Sequence, residues 1–291
     1  MLDLTLVRFK HFFKRGIREY AKSIGKTIVK GNYAKLAYDL GLKDIIIAEY
    51  DSQKTHLRPT KKKFINTWSC MGYELEASDN VMLSLDNESI AEMEASGITL
   101  IKPNEGNAKN LIFLDELGLN VKRSAITLDH DGNPFEYEGL LIPHAEICSL
   151  SEFLQYRGNA PNIMYVYRSC DSSIESLGNL KTNKYKVLPD YHVLESDDIL
   201  PHGFDSIGAL MKFDNCLNYW CGSVLSIEDT RQLGFKVGGP TGVQVAGFLY
   251  ACIDFMINNP DYGHNESETV PHKELFKLAD KYMGKIYCKQ I

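Results

Sequence analysis

The sequence predicts an α+β fold, a mixed sheet flanked by helices. Two observations carry that reading. Apolar residues step by three and four through the first 24 positions, and run almost unbroken through 241–258, as helices require. Between these stretches lie short β-rich runs that do not alternate regularly with helices. The 291 residues suffice for one large domain or two modest ones. An apolar content of 44% with 24% charged residues is that of a soluble globular protein.

The first helix, near 3–24, carries Leu6, Phe9, Phe13, Ile17, Tyr20 and Ile24 on one stripe. That spacing predicts burial of the stripe. It leaves the basic run Arg8, Lys10, Lys14, Arg15, Arg18 and Lys22 on a solvated face. A second helix, Tyr33 to Leu40, stops at Gly41. Asp44 to Glu49 reads as a strand, and Lys63 to Cys70 as an apolar run reaching Gly72. A short helix covers Ser89 to Ala95, and strands follow at 97–102, 111–115, 122–128 and 139–143. Asp129-His-Asp-Gly-Asn133 has the look of a calcium loop. Pro134 and Leu140 stand where its glycine and glutamate are needed, so a hairpin turn is expected.

Ser149 and Glu152 form a capping box, which predicts a helix beginning there. Met164 to Arg168 is a strand, and 178–205 is polar and irregular, as a surface excursion would be. Phe204 to Met211 and Tyr219 to Ser226 return to the core. Thr241 to Asn258 is a helix closed by Asn259-Pro260. At about 1.5 Å per residue it would just span a bilayer. Gln244, Asp254 and two glycines point instead to a buried helix of a soluble protein. Residues 261–271 read as an acidic surface loop.

A net charge of −6 argues against nucleic acid as a partner. The cysteines are Cys70, Cys148, Cys170, Cys216, Cys221, Cys252 and Cys288. Their odd number, without a Cys-x-x-Cys pair or a His cluster, predicts reduced thiols and no metal site. No secretory signal is visible, so a cytoplasmic protein with no membrane association is expected.

Several residues carry chemistry on their own terms. His144 and Glu146 follow a strand, and an imidazole beside a carboxylate can shuttle protons near neutral pH. A buried structural histidine fits the same pattern. Glu49 and Asp51, two apart at a strand end, face one side and suit an ammonium group; a solvated strand end is the plainer account. Trp68 would stack on a cation or a nicotinamide ring, or fill core. Asp171 would pair with an amine or cap a helix. No Gly-x-Gly-x-x-Gly follows a strand, and the cluster Gly234 to Gly242 comes late, before a helix.

Five segments together resemble bacterial homospermidine synthase, a saccharopine dehydrogenase-like family. They are Phe64-Ile-Asn-Thr-Trp-Ser-Cys-Met-Gly-Tyr73, Leu140-Leu-Ile-Pro-His-Ala-Glu146, Ala48 to Gln53, Tyr165 to Asp171, and Tyr219 to Arg231. The resemblance lies in their shared order and spacing. It implies the fold of that family's substrate and dimerisation domain, without a complete Rossmann domain. Residues 1–231 would form the catalytic and substrate domain. Residues 232–291 would form a helical segment packing toward a nucleotide-binding domain. Leu4 to Phe12 is similar to a family segment that follows that domain, so the chain is expected to be a truncated, catalytic part.

The resemblance further implies NAD-dependent polyamine biosynthesis. Putrescine would be oxidised to an imine, ammonia would leave, a second putrescine would add, and the stored hydride would give homospermidine. His144 and Glu146 would be catalytic, and Glu49, Asp51, Trp68 and Asp171 would bind substrate. NAD would not be held by this chain alone, and the implied partners are putrescine or a related diamine, a separate nucleotide-binding chain and a second copy of the protein. One departure stands out. In Met82 to Ser89, Leu85 occupies the place of the family aromatic that faces the substrate cation, and Ser89 that of an acid. Two rival readings remain open: a non-enzymatic interaction or dimerisation module, and an enzyme for a related amine.

Overall fold

The computed structural model describes residues 4–26, 32–103, 110–186, 188, 190–236, 238–263 and 271–291, with the side chains of 4–7 excepted. In chain order the elements are α1 (Leu4–Ser23), α2 (Tyr33–Asp39), β1 (Leu42–Asp51), β2 (Lys63–Asn66), α3 (Cys70–Ser78), β3 (Asn80–Ser84) and α4 (Asn87–Ala95). Then come β4 (Leu100–Ile101), β5 (Leu111–Leu117), β6 (Lys122–Leu128), β7 (Pro134–Leu141), α5 (Ala145–Phe153), β8 (Asn162–Arg168) and α6 (Asp171–Thr182). The last are β9 (Asp190–Val193), β10 (Phe204–Phe213), β11 (Asn218–Ser226), α7 (Ile227–Gln232), α8 (Pro240–Asn258), α9 (His272–Ala279) and β12 (Lys285–Gln290).

One large mixed sheet runs β12-β11-β10-β1-β8-β3-β5-β4, and the hairpin β6–β7 joins it through β7 and β8. β1 is parallel to β8 and antiparallel to β10. β2 and β9 form a separate parallel pair. Strand alternation divides the core in two. Ile45 and Ile47 face a layer that includes α1, while Ile46 and Ala48 face Leu83, Leu85 and Trp220. Glu49 and Asp51 continue the first series, so they point toward α1. Gly16 lets α1 lie against the sheet: a Cβ there would sit 2.3 Å from Met211 Cε.

Several expectations need correction. The basic run on α1 is not uniformly solvated, since Arg8, Lys10 and Lys14 are buried with the apolar stripe. The helix passes between the sheet and α5, α8 and α9, which cover its flanks as well as its stripe. Lys10 and Lys14 lay their ammonium groups over the Phe153 ring, at 4.4 and 5.1 Å. The capping-box residues Ser149 and Glu152 close a helix instead of opening one: α5 starts at Ala145, with His144 in the N-cap position. A polar i,i+3 pair cannot reveal which end of a helix it occupies when apolar residues lie on both sides. Residues 178–205 are no simple surface excursion. They finish α6, supply β9 and bury Leu188, Leu194 and Ile199.

The 63–72 run splits into β2 and α3, because Ser69 caps Gly72 N and starts a helix. Trp68 therefore lies in a loop. The cysteines are not all reduced. Cys221 and Cys288 face each other across β11 and β12, 4.1 Å apart at Cα, and form a disulfide. Segment 232–291 is not wholly helical, since it ends in β12, an edge strand of the main sheet. α8 is long and apolar enough to span a membrane, yet half of its most apolar stretch is buried in the protein. The hairpin expected at Asp129–Asn133 is present: Asp129 Oδ1 accepts from the amides of Asp131 and Asn133. The acidic run 261–271 falls mostly outside the described residues.

Candidate functional site

The C-terminal ends of β1 and β8 and the start of β10 bring together a buried polar cluster. Register places Asp51 directly opposite Asp205, and Glu49 beside Tyr167. Glu49, Asp51 and Asp205 are 6%, 2% and 0% exposed. Three carboxylates in one dry site need formal counter-charge. Arg8, reaching down from α1, supplies one and bonds Gln244 Oε1 of α8 at 3.2 Å. Thr67 Oγ1 donates to Asp51 Oδ2 at 2.6 Å, and Gln53 donates to Asp51 Oδ1 through both N and Nε2, at 2.8 and 2.9 Å. Gln53 also bonds Thr241 Oγ1 at the start of α8.

Burial sets the electrostatics here. It raises the Asp51 carboxyl to about 6, against the opposing hydrogen bonds from Thr67 and Gln53. Burial also raises Glu49, with Arg8 and the Tyr165 hydroxyl pulling the other way. Asp205 is pushed well above the usual carboxylate range, by burial and then by the charges of Glu49 and Asp51. The nearby Thr241 hydroxyl pulls the other way, yet neither Asp205 carboxylate oxygen makes a well-formed hydrogen bond among the described residues. Buried carboxylate oxygens without donors are costly unless a ligand completes them.

The second half of the cluster adjoins the first through Tyr165. Its hydroxyl donates to Glu49 Oε2, and its ring stacks on His144 at 4.6 Å between centroids. His144 Nδ1 contacts Glu146 Oε2, and Nε2 lies 3.8 Å from Glu76 Oε1 on α3. Glu146 is fully buried, with Oε1 unpartnered among the described residues. Trp68 Nε1 donates to the Tyr167 hydroxyl at 3.1 Å, and Tyr73 packs between them. The structure thus brings Glu49, Asp51, His144, Glu146 and Trp68 into one connected cluster.

Asp171 is not part of that cluster. Its side chain is 71% exposed and pairs with Arg168 at 2.7 Å, at the first turn of α6. With Asp51 and Arg168 it lines an open cavity of about 430 Å³. Leu85 and Ser89 are also elsewhere. Leu85 is buried on the opposite face of the sheet, with Ile46 and Ala48. Ser89 accepts from Asn162, the first residue of β8, five residues or about 16 Å along the strand from Tyr167. The expected loss of an aromatic wall at position 85 therefore has no bearing on this cluster.

Sequence reasoning missed Arg8, Glu76, Tyr165, Asp205 and Gln244. Arg8 carried a signal within its basic run: Val7 and Phe9 flank it directly. Asp205 carried none, because its role follows from strand register across 154 positions of chain. Among the described residues, no group of three or more His, Cys, Asp or Glu side chains has the arrangement to hold a metal ion.

The fold that frames this cluster is that of an α+β domain found in homospermidine synthase. The Legionella pneumophila enzyme, solved in complex with NAD, superposes with a TM-score of 0.83 and 29% identity, over 98% of this chain and 61% of that one. The chain is 27% identical to a homospermidine synthase of Blastochloris viridis, over 94% of its own length and 57% of the relative's. It is 28% identical to one from Mesorhizobium japonicum, over 87% of its own length and 51% of that protein's. It thus spans little more than half the length of these relatives. No family model matches the chain.

Proposed function

We propose that this chain forms the diamine-handling part of an NAD-dependent homospermidine synthase-like enzyme acting on putrescine. One observation carries the reading. Glu49, Asp51 and Asp205 are buried with Arg8 facing Glu49 and Asp205 and Arg168 near Asp51, and neither Asp205 carboxylate oxygen has a hydrogen-bond partner among the described residues. With Arg168 matched by Asp171, the three ionised carboxylates and Arg8 hold a net charge of two minus, which a diammonium neutralises. The similarity to homospermidine synthases over most of the chain supports the same substrate class.

The residues divide the work by their surroundings. Asp205 and Asp51 hold one ammonium, and the donors on Asp51 fix its orientation. Glu49 can take a proton from an amine, with the Tyr165 hydroxyl bonded to its Oε2, while the Tyr165 ring stacks on His144 and holds the His144–Glu146 pair beside the site. The packed rings of Trp68, Tyr73 and Tyr167 wall the carboxylates on one side.

Oxidation of an amine belongs to the nicotinamide. Neither helix start beside the carboxylates, that of α8 or that of α6, fits the dinucleotide's pyrophosphate. The start of α8 faces Gln53, where a Cβ on Gly239 would meet Oε1 at 1.8 Å, and its first turn already serves Thr241 and the carboxylates. α6 opens on the acidic Asp171. On the proposed reading, NAD sits on a nucleotide-binding part outside the described residues.

Calorimetry with putrescine tests the reading. Binding is expected to release protons near pH 6, because a bound dication pulls the raised carboxyl of Asp51 back down. Affinity should fall as pH drops through that value. Asp205→Asn should weaken binding by about 1.5–3 kcal/mol, the range for a charge-assisted hydrogen bond. Unchanged affinity in that variant, in the presence of the nucleotide-binding part, would exclude the carboxylate site.

A further inference from the structure

A second charged site lies between α1 and α9, away from the carboxylates. Arg15 and Arg18 from α1 and Lys273 and Lys277 from α9 line a cavity of about 450 Å³, a size typical of small-molecule sites. None of the four forms an ion pair with a described carboxylate. Of the two acids at the rim, Glu19 is taken by Lys22 at 2.9 Å, and Asp280 is exposed. Lys273 and Lys277 stand one turn apart, where like charges repel. Among the described residues no carboxylate is paired with them.

The floor of the cavity is built from ring donors and a helix end. His11 stacks on Phe276 at 3.8 Å, its centroid lies 5.8 Å from that of His272, and its Nδ1 is buried without a partner among the described residues. Burial first, and then neighbouring positive groups, hold His11 down to about 3 and His272 to about 4. Both rings are thus neutral at neutral pH, and each offers an N–H without adding charge. α9 starts at His272 behind Pro271, with no side chain capping it. The positive end of its dipole lies at His272 and Lys273, which line the cavity, with Glu274 in the same turn.

We propose that this groove is a binding site for a phosphate-bearing small molecule, of at least a diphosphate. Arginine forks and lysine point charges suit phosphate oxygens, and a helix start adds amide donors. A single phosphate would leave much of the cavity and most of the charge unused. The site is separate from the amine site. Arg15 and Arg18 lie seven and ten residues beyond Arg8, about 10 and 15 Å along α1.

Titration of the whole chain with pyrophosphate and with ATP, in 150 mM salt, tests the assignment. Saturable binding is expected at about 100 μM or tighter. Arg15→Gln and Lys277→Gln alter exposed side chains, so folding is retained. Each should weaken binding about tenfold. Lys43→Gln, which removes a cation paired with Asp214 elsewhere, should change nothing. Citrate, a trianion without phosphate geometry, should bind at least tenfold more weakly than pyrophosphate. No saturable binding at 1 mM, equal losses from Lys43→Gln, or citrate binding as tightly as pyrophosphate would each overturn the proposal.

Discussion

Asp51 shows how one side chain can serve a site at the expense of the fold. Its carboxyl sits at about 6 in the folded protein, against about 3.9 in an unfolded chain. The folded state therefore binds more protons between those values, and stability falls as pH rises through that window. Above pH 7 the penalty is complete, at about 2–3 kcal/mol. Asp51→Asn removes the charge while still accepting from Gln53. Thermal melts at pH 7.5 should rise by several degrees, with little change at pH 4. An unchanged or lower melting point at pH 7.5 would show that Asp51 is not strained by burial. Of the site itself, Glu49, Asp51, His144, Glu146 and Trp68 were legible as residues, since each lay in a motif or at a strand end. Their contact was not, because Tyr165 joins segments about ninety positions apart.

The elements that the sequence displayed best are those with a clean period. α1 and α8 show it at full length, and β1, β8, β10 and β11 are legible as apolar runs. The ends and faces of elements were harder to see. β12 pairs with β11 and presents Cys288 to Cys221, a contact spanning 67 positions that no spacing rule reveals. Thiol titration of the denatured, unreduced protein should find the five cysteines outside that bond, and seven after reduction. Cys288→Ser should cost about 2–4 kcal/mol of stability, from the loop the bond closes. Seven thiols before reduction would remove the disulfide.

α8 is two-faced. Gln244, Phe248 and Phe255 are buried, while Val245, Leu249, Ile253, Met256 and Ile257 form an exposed apolar stripe. Such a stripe marks a surface made for another protein surface. We propose that it packs against the nucleotide-binding part. The chain alone should then bind an apolar dye or self-associate in light scattering, and Leu249→Glu with Ile253→Glu should abolish either signal. A clean monomer without dye binding would count against a covered face.

For the whole molecule, the described fold offers an anionic centre under the start of α8 and a cationic groove between α1 and α9. Two sites of opposite sign, about 10–15 Å apart along one helix, predict distinct ligands. With the dinucleotide's own site assigned to another part, NAD added to this chain alone should bind at most through the α1–α9 groove, no tighter than about 100 μM and lost in Arg15→Gln. Micromolar binding would place the dinucleotide on the chain itself and overturn that assignment.

The sequence by itself determined the class of fold, most helices and central strands, and the kinship of motifs that pointed to amine chemistry. These follow from periodicity and local order, which are properties of neighbouring residues. Tertiary structure alone decided that Arg8 turns inward to meet Glu49, that Asp205 faces Asp51, that Leu85 lies on the other side of the sheet, and that Cys221 meets Cys288. Each depends on strand register or on which layers cover a helix. Register and layering are fixed by burial summed over the whole chain, so no local pattern contains them.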